Sequence, residues 1–564
     1  MSTPNFNHYY TNAELDALLD EWVRAYPTLI ERREIGRSFE GRPIWLLVLT
    51  NRETGADTTK PAVWVDANIH ATEVAGTTTV LHIVHTLLSG YGADERITRL
   101  LDTSTLYAVP RINPDGAELA LADQPRYLRS GVRPYPWDEL AEGVHQQDVD
   151  GDGRILQMRI EDPNGDWTVS ELDPRLMRKR RPDEHGGTYY RLLPEGMLED
   201  FDGYIIKIAR PREGLDFNRN FPYDWRPENE QRGAGPYPTS EPEIRAIVDF
   251  IVNHPNINAA LTYHTFSGVI LRPYGTKPDD QMNTDDLWVF QKIGQRGSEL
   301  TGYPCVSVYH DFRYHPKEVI TGVFDDWLYD HFGMFAFTVE LWDIVGRAGI
   351  TERKFIEWFR DHPHEDDLKI LQWADEHIGP DAFVPWYEFN HPQLGKVELG
   401  GWNFMYTWRN PPHHLMGEEA ARNTPFVLAL ADMLPHLHIH TLTVTPLDDD
   451  AWHINLVVEN SGYLPTYTSQ QAKQRHAVRP VRAELTLPDG AVLVSGKRRV
   501  ELGHLEGRSN KHSVTFAYSP TDNRARAEWV VRAPRGTILT LTVKSERAGE
   551  LTRTIHLEPE GGSA

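Results

Sequence analysis

The sequence predicts an α/β sandwich with a largely parallel central sheet, followed by a C-terminal β-sandwich. Short apolar runs alternate with segments of helical periodicity over most of the chain, which is typical of α/β proteins. From about Thr441 only short alternating runs separated by turn signals remain. At 564 residues the chain is also too long for one ordinary core. We therefore predict one domain at residues 1–437 and a second at 438–564.

The elements of the first domain follow from local patterns. A short helix is predicted at Asn12 to Tyr26, and a hairpin at Arg32 to Asn51 has Gly41 in its turn. Four apolar runs indicate strands covered on both faces: Ala62 to Asp66, Leu106 to Val109, Ala259 to Tyr263 and Phe335 to Val339. Helical periodicity predicts three helices: Thr72 to Leu88, Glu241 to Asn253 and Asp285 to Thr301.

The second domain is predicted to begin after a helix at Glu418 to Met433 and a break at Pro435. Six short runs are its strand candidates: Leu442 to Val444, His453 to Val458, Ala483 to Leu487, Val514 to Ala517, Trp529 to Arg532 and Ile538 to Val543. Its residues do not distinguish a role in stabilising the first domain from a role in binding a partner.

Composition narrows the class of function. A formal charge of −24 argues against nucleic acid or an anionic membrane as the partner. Cys305 is the single cysteine, so a metal would be bound through His, Asp and Glu. The N-terminus lacks a basic start and an apolar stretch, and no run of 18 apolar residues occurs. We expect a cytoplasmic protein, unless a leader preceded this numbering.

His70 and Glu73 form the first candidate metal-binding pair, at the end of an apolar strand and before a helix. The same spacing recurs at His315 to Glu318 and at His362 to Glu365, in polar, proline-containing stretches. An isolated pair of this kind is more typical of a surface ion pair. Spacing alone therefore does not identify a metal site.

Three further segments place polar residues at strand ends. His264 ends the strand that begins at Ala259, and Glu340 ends the strand that begins at Phe335. A lone histidine is often a hydrogen-bonded core residue, whereas a glutamate on an apolar strand is costly to bury unless it is paired or functional. The third segment, Asp216 to Phe221, alternates polar and aromatic residues and could also be a turn with a surface arginine.

Together these residues resemble the zinc metallocarboxypeptidase family of the carboxypeptidase A, B and T type. The resemblance covers about residues 8–435 and implies a three-layer α/β/α carboxypeptidase-like domain with a mixed, largely parallel central sheet. Six motifs carry it: Ser38 to Ile44, Arg111 to Gly116, Asn218-Arg219-Asn220, Tyr263-His264, Gly322 to Trp327 and Phe337 to Leu341.

The resemblance implies the following roles, each of which suits the chemistry of the side chain. His70, Glu73 and His264 would bind one Zn²⁺ per chain and leave a position for water. Glu340 would be the general base. Asp216 would orient the first zinc histidine.

The resemblance also implies how the substrate is held. Asn218 and Arg219 would bind a peptide's C-terminal carboxylate. In the family an arginine that stabilises the oxyanion follows the Asn-Pro-Asp-Gly motif closely. We expect Arg178 in this role, which requires an insertion at about 117–174; the alternative is that Arg178 belongs to a solvated basic run.

The predicted insertion contains a partial calcium loop. Asp148, Asp150 and Asp152 occupy positions 1, 3 and 5 of an EF-hand-type loop with Gly153 at position 6, but Arg159 stands where the bidentate glutamate belongs. Ca²⁺ binding is therefore an expectation, and an acidic glycine-rich turn is the alternative.

Two pocket residues follow from the resemblance. Asp325 stands where B and T members carry an acidic pocket residue, which implies a basic or dual C-terminal preference; alternatively it caps the following helix. An ungapped match puts Lys317 in place of the family's substrate-closing tyrosine, and Tyr314 lies three residues away. Thr72 replaces an arginine seen in animal members.

The sequence thus predicts a zinc-dependent carboxypeptidase that acts on the C-terminus of peptides or proteins. One alternative is a peptidase for cell-wall peptides that contain diaminopimelate, which Asp325 and Arg219 could also recognise. An alternative of another class is a non-catalytic peptide-binding module.

Overall fold

The structure is a computed structural model that describes residues 4–315, 317–509, 515 and 518–558. The strand predicted at Val514 to Ala517 therefore lies, apart from Thr515, outside the described residues. Within the described part, no helix is both long and apolar enough to cross a membrane.

Thirteen α-helices occur in the described residues. They are α1 (Asn12–Ala25), α2 (Ala75–Gly90), α3 (Glu95–Thr103), α4 (Pro114–Ala120), α5 (Pro242–Val252), α6 (Thr284–Thr301), α7 (Val308–Asp311), α8 (Phe324–Phe332), α9 (Ile344–Arg347), α10 (Phe355–Arg360), α11 (His364–His377), α12 (His413–Asp432) and α13 (Gln470–Gln474).

The strands of the residues up to 435 are β1 (Ile30–Arg37), β2 (Pro43–Leu49), β3 (Ala62–Ala67), β4 (Thr105–Val109), β5 (Gly143–Gln146), β6 (Gln157–Glu161), β7 (Trp167–Val169), β8 (Met177–Lys179), β9 (Tyr190–Pro194), β10 (Gly196–Glu199), β11 (Ile257–Thr265), β12 (Val269–Arg272), β13 (Cys305–Ser307), β14 (Phe335–Leu341), β15 (Phe383–His391) and β16 (Gly395–Trp402).

The strands that follow are β17 (Leu437–Pro446), β18 (Ala451–Asn460), β19 (Val481–Thr486), β20 (Val492–Ser495), β21 (Arg499–Gly503), β22 (Arg524–Arg532), β23 (Ile538–Ser545) and β24 (Gly549–His556).

The central sheet has the order β1-β2-β4-β3-β11-β14-β12-β13. Strands β4, β3, β11 and β14 are parallel to one another, whereas β1 and β2 are antiparallel and β12 runs antiparallel to β14. Both faces of this sheet are buried: Val63 and Val65 belong to one core, and Ala62 and Trp64 to the other. The predicted mixed, largely parallel sheet between two helical layers is confirmed.

The register of the parallel strands brings their carboxyl ends together. His264 on β11 is paired with Glu340 on β14, and Tyr263 on β11 is paired with Ala67 on β3. Residues that follow Ala67 therefore lie beside the end of β11. In open sheets of this kind, ligands bind at the carboxyl ends of the strands.

A second sheet, which was not predicted from the sequence, has the order β15-β16-β6-β9-β7-β8. It joins segment 157–194 to segment 383–402, since Arg159 on β6 is paired with Glu398 on β16. The extra strands continue through β10, which ends at Glu199, whereas the insertion was expected to end near residue 174.

Residues from Leu437 onward form two four-stranded antiparallel sheets, β17-β18-β22-β20 and β21-β19-β23-β24. One core joins them: Trp452 and Trp529 from the first sheet pack with Leu485 and Leu541 from the second. The predicted C-terminal β-structure is confirmed in this form.

The C-terminal region contacts the ends of β11 and α8 that lie far from the strand ends described above. Arg547 is buried, and its guanidinium donates to the carbonyl oxygens of Ile257 and Phe332. Ser469 Oγ donates to the carbonyl oxygen of Gly333 at 2.6 Å. Arg475 forms an ion pair with Asp330 on α8. These side chains satisfy carbonyl groups at the end of α8 that no helical hydrogen bond reaches.

Candidate metal centre and substrate cleft

Three buried side chains meet at the carboxyl ends of the central strands. His70 and Glu73 lie in the loop between β3 and α2, and His264 lies near the end of β11. Glu73 Oε2 is 3.0 Å from His70 Nδ1 and 3.1 Å from His264 Nδ1, and the two Nδ1 atoms are 3.0 Å apart. The structure thus brings the three predicted zinc ligands together.

The donor atoms of this trio suit a zinc ion. Two imidazole nitrogens and one carboxylate oxygen are a common catalytic zinc set, and tetrahedral ligands about 2.1 Å from the metal lie roughly 3.4 Å from one another. The three observed separations are a few tenths of an ångström shorter, so a small outward movement of the side chains accommodates the ion. Burial opposes ionisation of Glu73, but the adjacent His70 and His264 hold its pKa well below the usual value.

Asp216 lies on the far side of the His70 ring. Its Oδ1 is 3.1 Å from His70 Nε2, which leaves Nδ1 directed toward Glu73 and His264. Asp216 is held in place by the backbone N–H of Asn218, which donates to Oδ1. Burial opposes its ionisation, but Arg129, Arg219 and His70 together keep its pKa well below the usual value. This is the orienting position predicted for Asp216.

Arg129, which was not among the residues predicted from the sequence, lies beside two of the predicted site residues. Its Nε donates to Asp216 Oδ2 at 2.9 Å, and its Nη1 is 3.4 Å from Glu73 Oε1. Its own carbonyl oxygen accepts the N–H of Ala71, the residue between the ligands His70 and Glu73. Asp216 and Glu73 overcome the effect of burial and raise the pKa of Arg129. A permanent positive charge therefore lies beside the metal ligands.

Arg178 lies elsewhere, which corrects the expected oxyanion assignment. It is on β8 in the second sheet, and its guanidinium is bound by Glu171 and Glu184. Both carboxylates have a pKa lowered to about 2, chiefly through the hydrogen bonds from Arg178. A guanidinium paired in this way is not free for a substrate. The expectation failed because several basic residues fit a loose motif, and only the folded chain shows which one reaches the ligands.

Glu340 is partly buried at the end of β14, next to His264 in the sheet. Burial raises the pKa of its carboxyl to about 7, and the Glu73 charge adds to this, whereas His264, Arg129 and Arg409 act in the opposite direction. A carboxyl that titrates near neutral pH is well matched to proton transfer.

Asn218 and Arg219 lie in a short 3₁₀ turn that directly follows Asp216. Asn218 Oδ1 accepts the N–H of Phe324 at 3.0 Å, which links this turn to the start of α8. Arg219 Nη1 donates to the carbonyl oxygen of Asn218 at 2.6 Å, and its Nη2 is 4.0 Å from Asp216 Oδ2. The guanidinium borders a cleft of about 1050 Å³ that also contains Arg129 and Tyr314.

Asp325 is buried in the first turn of α8. Its Oδ1 accepts the N–H of Asp326, and its Oδ2 is 3.5 Å from Thr338 Oγ1, two residues before Glu340 on β14. Burial raises the pKa of Asp325 to about 6. The N-cap of α8 is Val323, so Asp325 does not occupy the capping position itself.

Tyr314 is the candidate for the tyrosine that closes over the substrate, if a small insertion moves it from the position that Lys317 takes in an ungapped match. Tyr314 is 51% exposed and lines the cleft with Arg129 and Arg219. Lys317 is exposed and is not among the cleft residues of the described chain. The geometry therefore favours Tyr314, whose carbonyl oxygen is held by Arg360.

The other two His-x-x-Glu pairs do not form metal sites in the described part of the chain. His362 Nε2 is 3.0 Å from Asp367, not Glu365, and its ring stacks on Trp358. His315 Nδ1 accepts the backbone N–H of Lys317. Their surroundings are those of structural histidines.

The predicted calcium loop has a different acidic set from the one expected. Asp148 and Asp150 approach the buried Glu195, whereas Asp152 is paired with Arg154 at 2.6 Å. The Asp148 carboxylate accepts the N–H groups of Gly151 and Gly153. Burial raises the pKa of Glu195 to about 7. These hydrogen bonds fit an acidic glycine-rich turn, whereas calcium binding is not tested by them and stays a prediction.

Comparison with known proteins adds two family matches. A model described as zinc carboxypeptidase matches residues 15–357, and a model described as a domain of unknown function matches residues 436–556. The first match includes the metal-binding trio, Arg129, Arg219 and Glu340. It ends before the strands β15 and β16.

Curated relatives agree with the first match. The chain is 28% identical over 389 residues to carboxypeptidase A2 of Rattus norvegicus, which spans 64% of this chain and 72% of that protein. It is 24% identical over 360 residues to carboxypeptidase A1 of Sus scrofa, which spans 62% of this chain and 65% of that protein. A solved structure of thrombin activatable fibrinolysis inhibitor is similar at a TM-score of 0.44 and 19% identity, with 76% of this chain and 75% of that chain covered.

Proposed function

The chain belongs to the zinc carboxypeptidase family, and from this premise we propose that the protein removes single C-terminal residues from peptides by zinc-dependent hydrolysis. The observation that carries the proposal is the grouping of chemically distinct side chains around the metal-ligand trio. Glu340, with a pKa of about 7, is paired with the ligand His264 in the sheet, and Arg129 lies beside the ligand Glu73. Arg129 also borders the cleft that contains Arg219.

Each group has a distinct task. Bound zinc supplies a water of lowered pKa and polarises the scissile carbonyl. Glu340 takes a proton from the attacking water and passes it to the leaving amine. Arg129 binds the negative charge that develops on the carbonyl oxygen. Arg219 and Asn218 hold the substrate's terminal carboxylate, which restricts cleavage to the last peptide bond.

Metal dependence is the first test of this proposal. The 564-residue protein is expected to bind one equivalent of zinc and to release C-terminal residues from peptides. A chelator should abolish release and added zinc should restore it, because the histidine and glutamate ligands alone cannot activate water. Metal analysis and a residue-release assay measure both effects.

His264→Ala and His362→Ala form a matched pair for that test. The first removes a ligand and should abolish stoichiometric zinc binding, whereas the second alters a histidine of an unused His-x-x-Glu pair. Release of C-terminal residues that persists after chelation, or equal zinc loss in both variants, would contradict the proposal.

Asp325 supports a preference for basic C-terminal residues, with apolar residues also accepted. Its carboxylate is buried close to the base and the terminal-carboxylate clamp. Asp325→Asn is expected to lower kcat/KM for peptides ending in Lys about 30-fold, the value of one charged hydrogen bond of ~2 kcal/mol, and to spare peptides ending in Phe. Since the pKa of Asp325 is raised to about 6, the ratio of Lys to Phe cleavage should rise with pH through that value.

Peptides ending in Lys, Phe and diaminopimelate, assayed side by side, distinguish this proposal from the cell-wall alternative. A rate that is high only for diaminopimelyl peptides would favour that alternative, because Asp325 and Arg219 offer partners for both of its charged groups. An equal loss on Lys and Phe peptides in Asp325→Asn would show that Asp325 supports the fold and does not select the substrate.

A further inference from the structure

Arg409 places a second guanidinium, besides that of Arg129, near the metal ligands. It lies outside residues 15–357, which the zinc carboxypeptidase model matches. Arg409 lies at the end of a short π-helical segment, Met405–Arg409, well beyond residue 357. Its Nη1 is 3.5 Å from Glu73 Oε1, the oxygen that Arg129 also approaches at 3.4 Å. The two arginines therefore approach one carboxylate oxygen from different parts of the chain.

The backbone around Arg409 is fixed to the metal-ligand loop. Asn410 Nδ2 donates to the carbonyl oxygen of Thr72 at 2.8 Å, and Asn410 Oδ1 accepts the N–H of Ala75 at 3.0 Å. Asn410 is fully buried. The guanidinium of Arg409 also lies over the rings of Phe266 and Phe404, at 5.0 and 5.4 Å from their centroids. Arg409 is therefore held in a defined orientation beside Glu73.

Arg409 shares the carboxylate with which it forms an ion pair. Among the described residues, Glu73 is its single ion-pair partner, at 3.5 Å, and Glu73 is shared with Arg129 and faces the histidine ligands. The Arg409 side chain is 25% exposed. Such a cation retains hydrogen-bonding capacity for a group that enters from the cleft.

The space in front of Arg409 is a cavity of about 520 Å³ whose lining is mainly apolar, with Gln146 and Gln157 as its uncharged amide side chains. Segment 127–157 and segment 402–409 supply most of this lining, through Tyr127, Ile155, Leu156, Trp402, Phe404 and Met405. Arg129 borders this cavity and also the larger cleft that contains Arg219. Arg129 therefore lies where the cleft that contains Arg219 adjoins the cavity that contains Arg409.

We propose that Arg409 and this cavity bind the acyl part of the substrate, so that the enzyme selects peptides with an apolar or aromatic residue just before the one it removes. In this arrangement Arg409 donates to the main-chain carbonyl one residue N-terminal to the scissile carbonyl, and the apolar lining receives the penultimate side chain. The inference rests on the proposed function, because it takes Arg219 as the anchor of the C-terminus.

Two matched substrates isolate the role of Arg409. Acetyl-Phe-X offers the carbonyl that Arg409 would bind, whereas 3-phenylpropanoyl-X has the same ring and scissile bond but lacks that carbonyl, with X the C-terminal residue that the wild type removes best. Arg409→Met should lower kcat/KM for the first at least tenfold more than for the second, as expected for a lost charged hydrogen bond. Arg409→Lys should recover part of the difference.

A binding measurement supplies a readout other than turnover. In zinc-loaded Glu340→Gln protein, calorimetry should show that Arg409→Met weakens acetyl-Phe-X more than 3-phenylpropanoyl-X, with zinc content unchanged. Equal weakening of both, or loss of zinc, would overturn the proposal and place Arg409 as a support for Glu73.

The apolar lining has its own test. Wild-type protein should cleave acetyl-Phe-X at least tenfold faster than acetyl-Asp-X, since the cavity buries a large apolar side chain, and Leu156→Asp should reduce that ratio. An unchanged ratio would overturn the assignment of the cavity. If zinc-loaded wild type cleaves neither substrate, the proposed function itself fails, whereas cleavage without these differences refutes only the role of Arg409 and its cavity.

Discussion

Glu340→Gln is expected to lower kcat for release of a C-terminal residue by roughly 10³-fold, while zinc content and peptide affinity stay close to those of the wild type. Glutamine keeps the shape of glutamate but cannot accept a proton from water. Glu340 is paired with His264 in the sheet, but it is not one of the three metal ligands. The metal centre should therefore persist in Glu340→Gln. Steady-state kinetics, metal analysis and calorimetry on the same preparation measure all three quantities.

Glu365→Gln is the matched control, because Glu365 is an exposed glutamate of an unused His-x-x-Glu pair and should leave kcat unchanged. The comparison also excludes one class of function. A protein that only binds peptides would show the same residue release, or none, in the wild type and in Glu340→Gln. Normal hydrolysis by Glu340→Gln would mean that another group takes the proton.

Arg129→Met should reduce kcat by about 10²- to 10³-fold, the usual effect of removing one donor to a developing oxyanion. The substitution keeps much of the side-chain volume but removes the charge beside Glu73 and the hydrogen bond to Asp216. Arg129→Lys should recover part of the rate, since it retains a positive charge without the planar fork. Zinc content should be measured in parallel, because Arg129 also supports two residues of the metal site.

Arg178→Met tests the oxyanion role that was first expected for Arg178. Its guanidinium is engaged by Glu171 and Glu184 and does not line the cleft that contains Arg129 and Arg219, so its loss should change kcat less than twofold. A large loss of kcat in Arg178→Met together with a small one in Arg129→Met would restore the original assignment. Parallel thermal melts show whether either effect comes from unfolding.

The metal-binding trio could be predicted from sequence because each ligand ends or follows a buried strand. Apolar runs such as Ala62–Ala67 and Ile257–Thr265 are strong local signals, and parallel strands bring their carboxyl ends to one edge. The position of Glu340 follows from the same rule. Motifs then added the roles that strand positions alone could not give.

Arg129 could have been found with a stricter use of the same motif. It lies 13 positions after Gly116, close to the Asn-Pro-Asp-Gly sequence, so no insertion needs to be placed before it. Its segment carries no helical or strand periodicity, and arginines are also present at 126, 133, 175 and 178. What singles out Arg129 is a set of contacts with residues far away in sequence, Glu73 and Asp216.

The second sheet could not be predicted from the sequence, and the reason differs from that for Arg129. Several of its strands are only three to five residues long, too short for a reliable alternation of apolar and polar residues. Its central pairing joins Arg159 to Glu398, and local patterns contain no information about partners at such separation. Arg409 and the cavity that includes Leu156 and Trp402 belong to the same long-range arrangement.

The buried Arg547 limits how this protein can be divided or recombined. Its guanidinium supplies hydrogen bonds to Ile257 and Phe332, which lie in or at the end of elements whose opposite ends carry His264 and Asp325. Excision of residues from Leu437 onward would remove these donors and expose the buried surface around Ile257 and Phe332 to water. We therefore expect the two regions to be separable only at a cost in stability, and a replacement C-terminal region would need a donor at the position of Arg547.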